Sequence, residues 1–107
     1  MKFHTVLAEV KAVEGECLAG YKKGDRIFFT WSSIDTEKSR VLCPWALHSI
    51  LSVSSMFFLE TTPTMKEMGI GNTDGMPVNC PDPGPSHGGH GRVVFEVRKA
   101  KEKFVEH

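Results

Sequence analysis

The chain has 107 residues, 40% of them apolar and 24% charged, and its 13 Lys and Arg are balanced by 13 Asp and Glu. One compact domain with a real core fits this length, and the even balance excludes a global pull toward nucleic acid or an anionic membrane. The most apolar stretch, residues 45–59, is broken by His48 and four serines, so it is too short and too polar to span a bilayer.

Met1-Lys2-Phe3-His4 lacks the apolar run of a signal peptide, and the expected location is the cytoplasm. Residues 3–13 alternate weakly, with Leu7 and Phe3 spoiling strict amphipathy, and predict a strand with both faces partly covered. Glu14-Gly15-Glu16 breaks it. Cys17 to Asp25 carries Gly20, Gly24 and a Lys-Lys-Gly-Asp turn signal. Residues 26–31 are rich in β-branched and aromatic side chains and predict a second strand, antiparallel to the first.

Ser32 to Arg40 is polar and reads as a loop. Cys43 then suits the N-cap of a helix over residues 44–59, with Pro44 at the first helical position. Ala46, Leu47, Ile50, Leu51, Val53, Met56, Phe57 and Leu59 recur at helical spacing. Glu60 to Pro63 ends the helix, Thr64 to Met68 suggests one further turn, and Gly69, Gly71 and Gly75 loosen the chain. Pro77 to Asn79 is a short extended approach to Cys80. Residues 81–91 read as loop and Val93 to Val97 as the final strand. The expectation is an α+β fold, a small, mostly antiparallel sheet covered by one main helix, with residues 1–98 as a single domain and 99–107 as a charged tail.

Three cysteines, Cys17, Cys43 and Cys80, are an odd number, which argues against a disulfide framework in a cytoplasmic chain. Each stands at the edge of a predicted element, and proline follows Cys43 and Cys80 directly, stiffening the backbone there. Cys43 carries the strongest physical case, because a helix N-terminus favours thiolate over thiol. No Cys-x2-Cys pair is present, so the spacing of zinc ribbons and ferredoxins is absent. His48 lies about 140° around the helix from Cys43 and is an awkward fourth ligand. His87 and His90 lie near Cys80 on flexible glycines and read more readily as a solvated loop.

Weaker candidates are Asp25, Asp82 and Glu96, none of which spacing can pair for acid–base work. Trp31, Trp45 and the phenylalanines are expected in the core. Gly69 to Gly75 lacks the Gly-Lys-Ser/Thr ending of a phosphate loop, and Asn72, Thr73 and Asp74 lack the spacing of an EF-hand.

Four blocks stand in order: Cys17-x2-Gly20-Tyr21-Lys22-x-Gly24-Asp25, Cys43-Pro44-Trp45-Ala46-Leu47, Cys80-Pro81-Asp82-Pro83 and Val94-Phe95-Glu96-Val97. Together they resemble a family of small, largely uncharacterised prokaryotic proteins. The resemblance covers Val6 to Arg98 and implies that the three cysteines belong to one shared pattern, without supplying a reaction. The Gly-His insertion between Pro83 and Val93 departs from it and counts against His87 and His90 as ligands.

The leading expectation is a metal site, zinc or an iron–sulfur cluster, held by Cys17, Cys43 and Cys80 in a protein with a binding, redox or accessory role. The alternatives are a small enzyme using Cys43 as nucleophile beside Asp82 without metal, and an interaction module whose cysteines only pack. Neither nucleic acid nor membrane is expected as partner. A free sheet edge favours a homo-oligomer or a larger protein partner.

Overall fold

The computed structural model describes residues 2–58, 67, 75–100 and 105–106. Strand β1 (Lys2–Phe3) is followed by β2 (Val6–Gly15), β3 (Arg26–Phe29) and β4 (Ile34–Asp35). Helix α1 (Pro44–Ser54) continues into a 3₁₀ turn at Ser55–Phe57. Strand β5 (Met76–Asn79), a 3₁₀ turn at Pro85–His87, β6 (Gly91–Lys99) and β7 (Val105–Glu106) complete the described elements. The main sheet has the order β4-β3-β2-β6-β5, antiparallel throughout, while β1 and β7 pair separately. The fold is therefore α+β, as the periodicities predict.

The central pair is β2 with β6. Val6, Ala8 and Val10 on β2 meet Val93, Phe95 and Val97 of β6 in the core, and Ile27 and Phe29 extend that face onto β3. Leu7 is also buried, which explains why β2 shows no clean alternation. Lys11 is an extra residue in the ladder, since Val10 pairs with Phe95 and Ala12 with Val94. Such a bulge sharpens the local twist. Ala46, Ile50 and Phe57 turn from the helical segment onto the same core. The helix contacts β5 and β6, so it covers the half of the sheet where Cys80 emerges.

Some expectations need correction. The loop predicted over 32–40 contains β4, held by Ser39, whose amide and hydroxyl both donate to the Asp35 carbonyl. The final strand is longer than Val93 to Val97 at both ends, because Gly91 and Lys99 also join the ladder. In the charged tail, Val105–Glu106 forms a strand that pairs with β1. Of the further turn at Thr64 to Met68 only Glu67 is described, and most of the glycine segment after it falls outside the described residues.

The tryptophans are not core residues. Trp31 is half-exposed and closes one end of the core, stacked on Phe3 at 4.3 Å and edge-on to Phe58 at 5.7 Å. Trp45 is 70% exposed. A helix turns about 100° per residue, so when Ala46 faces the sheet its neighbour Trp45 cannot.

On the solvent side of the sheet Glu9 accepts from Arg98 at 2.7 Å and lies 3.2 Å from Lys11 and 3.4 Å from Arg26. The Arg98 hydrogen bond, with help from Lys11, holds the Glu9 carboxyl at about 2 instead of 4.5. A depressed carboxylate stabilises the fold fully above its unfolded value and ceases to do so as pH falls through the folded one. Glu9→Gln is therefore expected to cost about 1 kcal/mol near neutrality, the scale of ion pairs in contact with water. Urea unfolding should show the two proteins converging in stability between pH 4.5 and about 2. A constant gap across that range would sink the assignment.

Candidate functional site

Cys17, Cys43 and Cys80 line one pocket of about 380 Å³. They come from three separate parts of the fold: the turn after β2, the N-cap of α1 and the residue after β5. None is buried, none is fully exposed, and all three are free thiols.

Cys17 is brought in by two glycines. Gly15 pairs with Gly91 at the last rung of the β2–β6 ladder, and the Glu16 amide donates to the His90 carbonyl at 2.9 Å. A Cβ on Gly91 would collide with the Glu16 carbonyl and come within 2.6 Å of the Cys17 nitrogen. The chain can turn Cys17 toward the pocket only because that side chain is missing. The Cys17 carbonyl then accepts from the Gly20 amide at 3.0 Å, closing the turn that carries Leu18.

Cys43 is the N-cap of α1 as predicted, extended at φ −78° and ψ 124°, with Pro44 next. Its carbonyl accepts the Leu47 amide at 2.9 Å, and its sulfur makes no capping hydrogen bond. The sulfur is thus left to the pocket. Its backbone is fixed by Tyr21, whose hydroxyl accepts the Cys43 N–H at 3.1 Å and donates to the Val41 carbonyl at 2.8 Å. Tyr21 is buried, lies edge-on to Phe95 and itself lines the pocket. Burial pushes its phenol above the usual value, reinforced by Cys43 and Cys17 nearby, so the hydroxyl stays neutral and keeps its proton for Val41.

Cys80 continues the β5–β6 pairing by one residue, its amide donating to the Val93 carbonyl at 3.0 Å. In return the Val93 N–H points at the Cys80 sulfur, 3.3 Å away. The Asp82 and Gly91 carbonyls lie 3.8 and 3.9 Å from that sulfur, within reach of a thiol proton. An N–H aimed at sulfur is the kind of hydrogen bond that orients and tunes a ligating cysteine.

Asp82 organises the loop behind Cys80. One carboxylate oxygen accepts from Gly84 at 2.9 Å, the other from His90 at 3.1 Å and Gly91 at 3.2 Å. Those amides, Gly84 first, hold its carboxyl below the ordinary range. Asp82 lines the pocket but spends both oxygens on backbone, which makes it a loop anchor and not a free acid or base. Asp25 likewise accepts the Lys22 amide at 2.9 Å within its turn, and Glu96 pairs with Arg98 at 3.1 Å on the sheet.

Histidines are not brought in: His48, His87 and His90 are exposed and absent from the pocket wall. Among the described residues no group of three or more His, Cys, Asp or Glu is arranged to hold a metal ion as the side chains stand. Comparison with protein-family models, curated proteins and solved structures returns no match to the chain. Also among the described residues, no helix is long and apolar enough to cross a membrane.

Sequence reasoning missed two contributors. Tyr21, between the turn glycines Gly20 and Gly24, offered a signal, since a tyrosine in a turn is there to bury a ring and place a hydroxyl. Leu18, 79% exposed at the pocket, offered none.

Proposed function

We propose that this protein binds a thiophilic metal centre, a zinc ion or an iron–sulfur cluster, through Cys17, Cys43 and Cys80, in a binding, redox or accessory role. The observation that carries the reading is that three cysteines distant in the chain line a single pocket. An apolar wall supports it too, because low dielectric strengthens the attraction between thiolates and a cation. So does the Val93 N–H directed at the Cys80 sulfur, since hydrogen bonds to ligating sulfur tune such centres. A reducing cytoplasm, the location expected for the chain, suits three free thiols.

Metal–sulfur bonds of about 2.3 Å require the three sulfurs to close to roughly 4 Å of one another around an ion. Cys17 lies two residues past the end of β2 and Cys80 one residue past the end of β5, so rotation of the side chains is the adjustment open to them. The enzyme reading has less behind it. A nucleophilic Cys43 needs a base, and the described pocket wall offers no histidine and only the already committed Asp82. Packing alone leaves unexplained why all three thiols border a cavity and none lies within the core.

The test is metal and acid-labile sulfide analysis on protein purified without oxygen and without a histidine tag. Stoichiometric zinc, or iron with sulfide, is expected, and Cys17→Ala, Cys43→Ala and Cys80→Ala should each reduce it at least tenfold. Substoichiometric metal in all four proteins, with every thiol titrating free, overturns the reading.

A further inference from the structure

We infer that the pocket is also the binding site of a neutral, largely apolar small molecule with a soft or aromatic group, such as an aryl thioether. This deepens the reading above, resting on the same pocket but not on a bound metal.

Size comes first. A cavity of 380 Å³ far exceeds what one ion fills, and it falls within the range of about 300–1,000 Å³ that small-molecule sites occupy. Charge comes next. Among the described residues no lysine, arginine or histidine lines it, so an anion finds no counter-charge there. The carboxylate among the described lining residues, Asp82, is saturated by the amides of Gly84, His90 and Gly91, so an organic ammonium finds no free carboxylate to pair with. Unlike a thiophilic metal ion, which the cysteine sulfurs would bind, an ionised organic ligand would shed its hydration here without compensation.

Shape and polarisability complete the case. Leu18 is 79% exposed and Trp45 70% exposed, and both flank the pocket together with Pro81 and Pro83. Large apolar groups left open around a concavity gain most from a ligand that covers them. The three cysteines line the same concavity as Leu18 and Trp45, and a concave site of this size takes a compact molecule and not a flat protein surface. Sulfur lining favours aromatic rings and other soft groups.

The probes are thioanisole and benzoate, similar in size, the first neutral and the second anionic. Reduced, metal-free, ¹⁵N-labelled protein is titrated with each, following the Trp45 indole N–H and the amides of Cys17, Cys43, Cys80, Gly89 and Val93. Thioanisole is expected to shift these signals saturably, with half-saturation at least tenfold below that of benzoate. Leu18→Asp, a change at an exposed position, should raise the thioanisole value at least fivefold while leaving the rest of the spectrum folded. Trp45→Ala should do the same.

Absence of saturation, equal response to benzoate, or shifts gathered around Trp31 would each overturn the inference. Shifts of the Leu18 and Trp45 signals on simple dilution would overturn it as well, by showing that a second copy covers the mouth. Because the protein is metal-free throughout, failure here leaves the metal reading standing. Failure of the metal reading likewise leaves this one standing.

Discussion

Tyr21→Ala is expected to lower the unfolding free energy by about 3–5 kcal/mol, the usual cost of emptying a buried aromatic site. The ring is 4% exposed and edge-on to Phe95 at 5.3 Å, in a core where Phe95 is itself fully enclosed. Removing it opens a cavity beneath the pocket and also releases Cys43 and Val41. Tyr21→Phe separates these effects. It keeps the ring but withdraws the hydroxyl that accepts from Cys43 and donates to Val41. Losing those partners should cost about 1–3 kcal/mol. At about 4–8 °C per kcal/mol for a domain of this size, calorimetry resolves both variants from the parent. Alkylation should also speed up at Cys43 in Tyr21→Phe, with Cys80 unchanged. If Tyr21→Phe matches the parent in both stability and thiol reactivity, the hydroxyl does not position Cys43.

Gly91→Ala is expected to be nearly as damaging, at about 3 kcal/mol, the upper end of the usual overpacking cost. The obstacles are backbone atoms, the Glu16 carbonyl and the Cys17 nitrogen, and backbone cannot move aside as a side-chain tip does. Relief comes only by parting the last rung of the β2–β6 ladder, where Gly15 faces Gly91. That displaces the Cys17 turn from the pocket. Urea unfolding measures the loss, and metal analysis of the folded fraction reads the consequence for the site. A tolerated alanine, with parent stability and parent metal content, would mean that Cys17 is not held by this close approach.

The elements with a clear period were legible in the sequence. Helix α1 announced itself through Cys43-Pro44 at its start and the recurrence of Ala46 and Ile50, continued by Phe57 in the 3₁₀ turn that follows. Strand β6 did so through Val93, Phe95 and Val97 at alternate positions. Asp82 and Asp25 were legible as turn residues, because a short carboxylate beside glycine and proline captures nearby amides. Leu7 blurred β2, and the two tryptophans misled, because their hydrophobicity suits either a core or a pocket rim.

What the sequence by itself determined is the inventory: an α+β chain, three unpaired cysteines at element edges, and two of them stiffened by proline. Those are properties of local spacing and residue chemistry. Only the tertiary structure decided that the three cysteines share one pocket, that Tyr21 ties Cys43 in place and that His48, His87 and His90 stay outside. The physical reason is that these facts depend on long-range pairing. Gly15 meets Gly91, and Val93 meets Cys80, only once β2 and β5 have both paired with β6. No local pattern encodes which strands become neighbours; burying Val6, Phe95 and Ile50 in one core does.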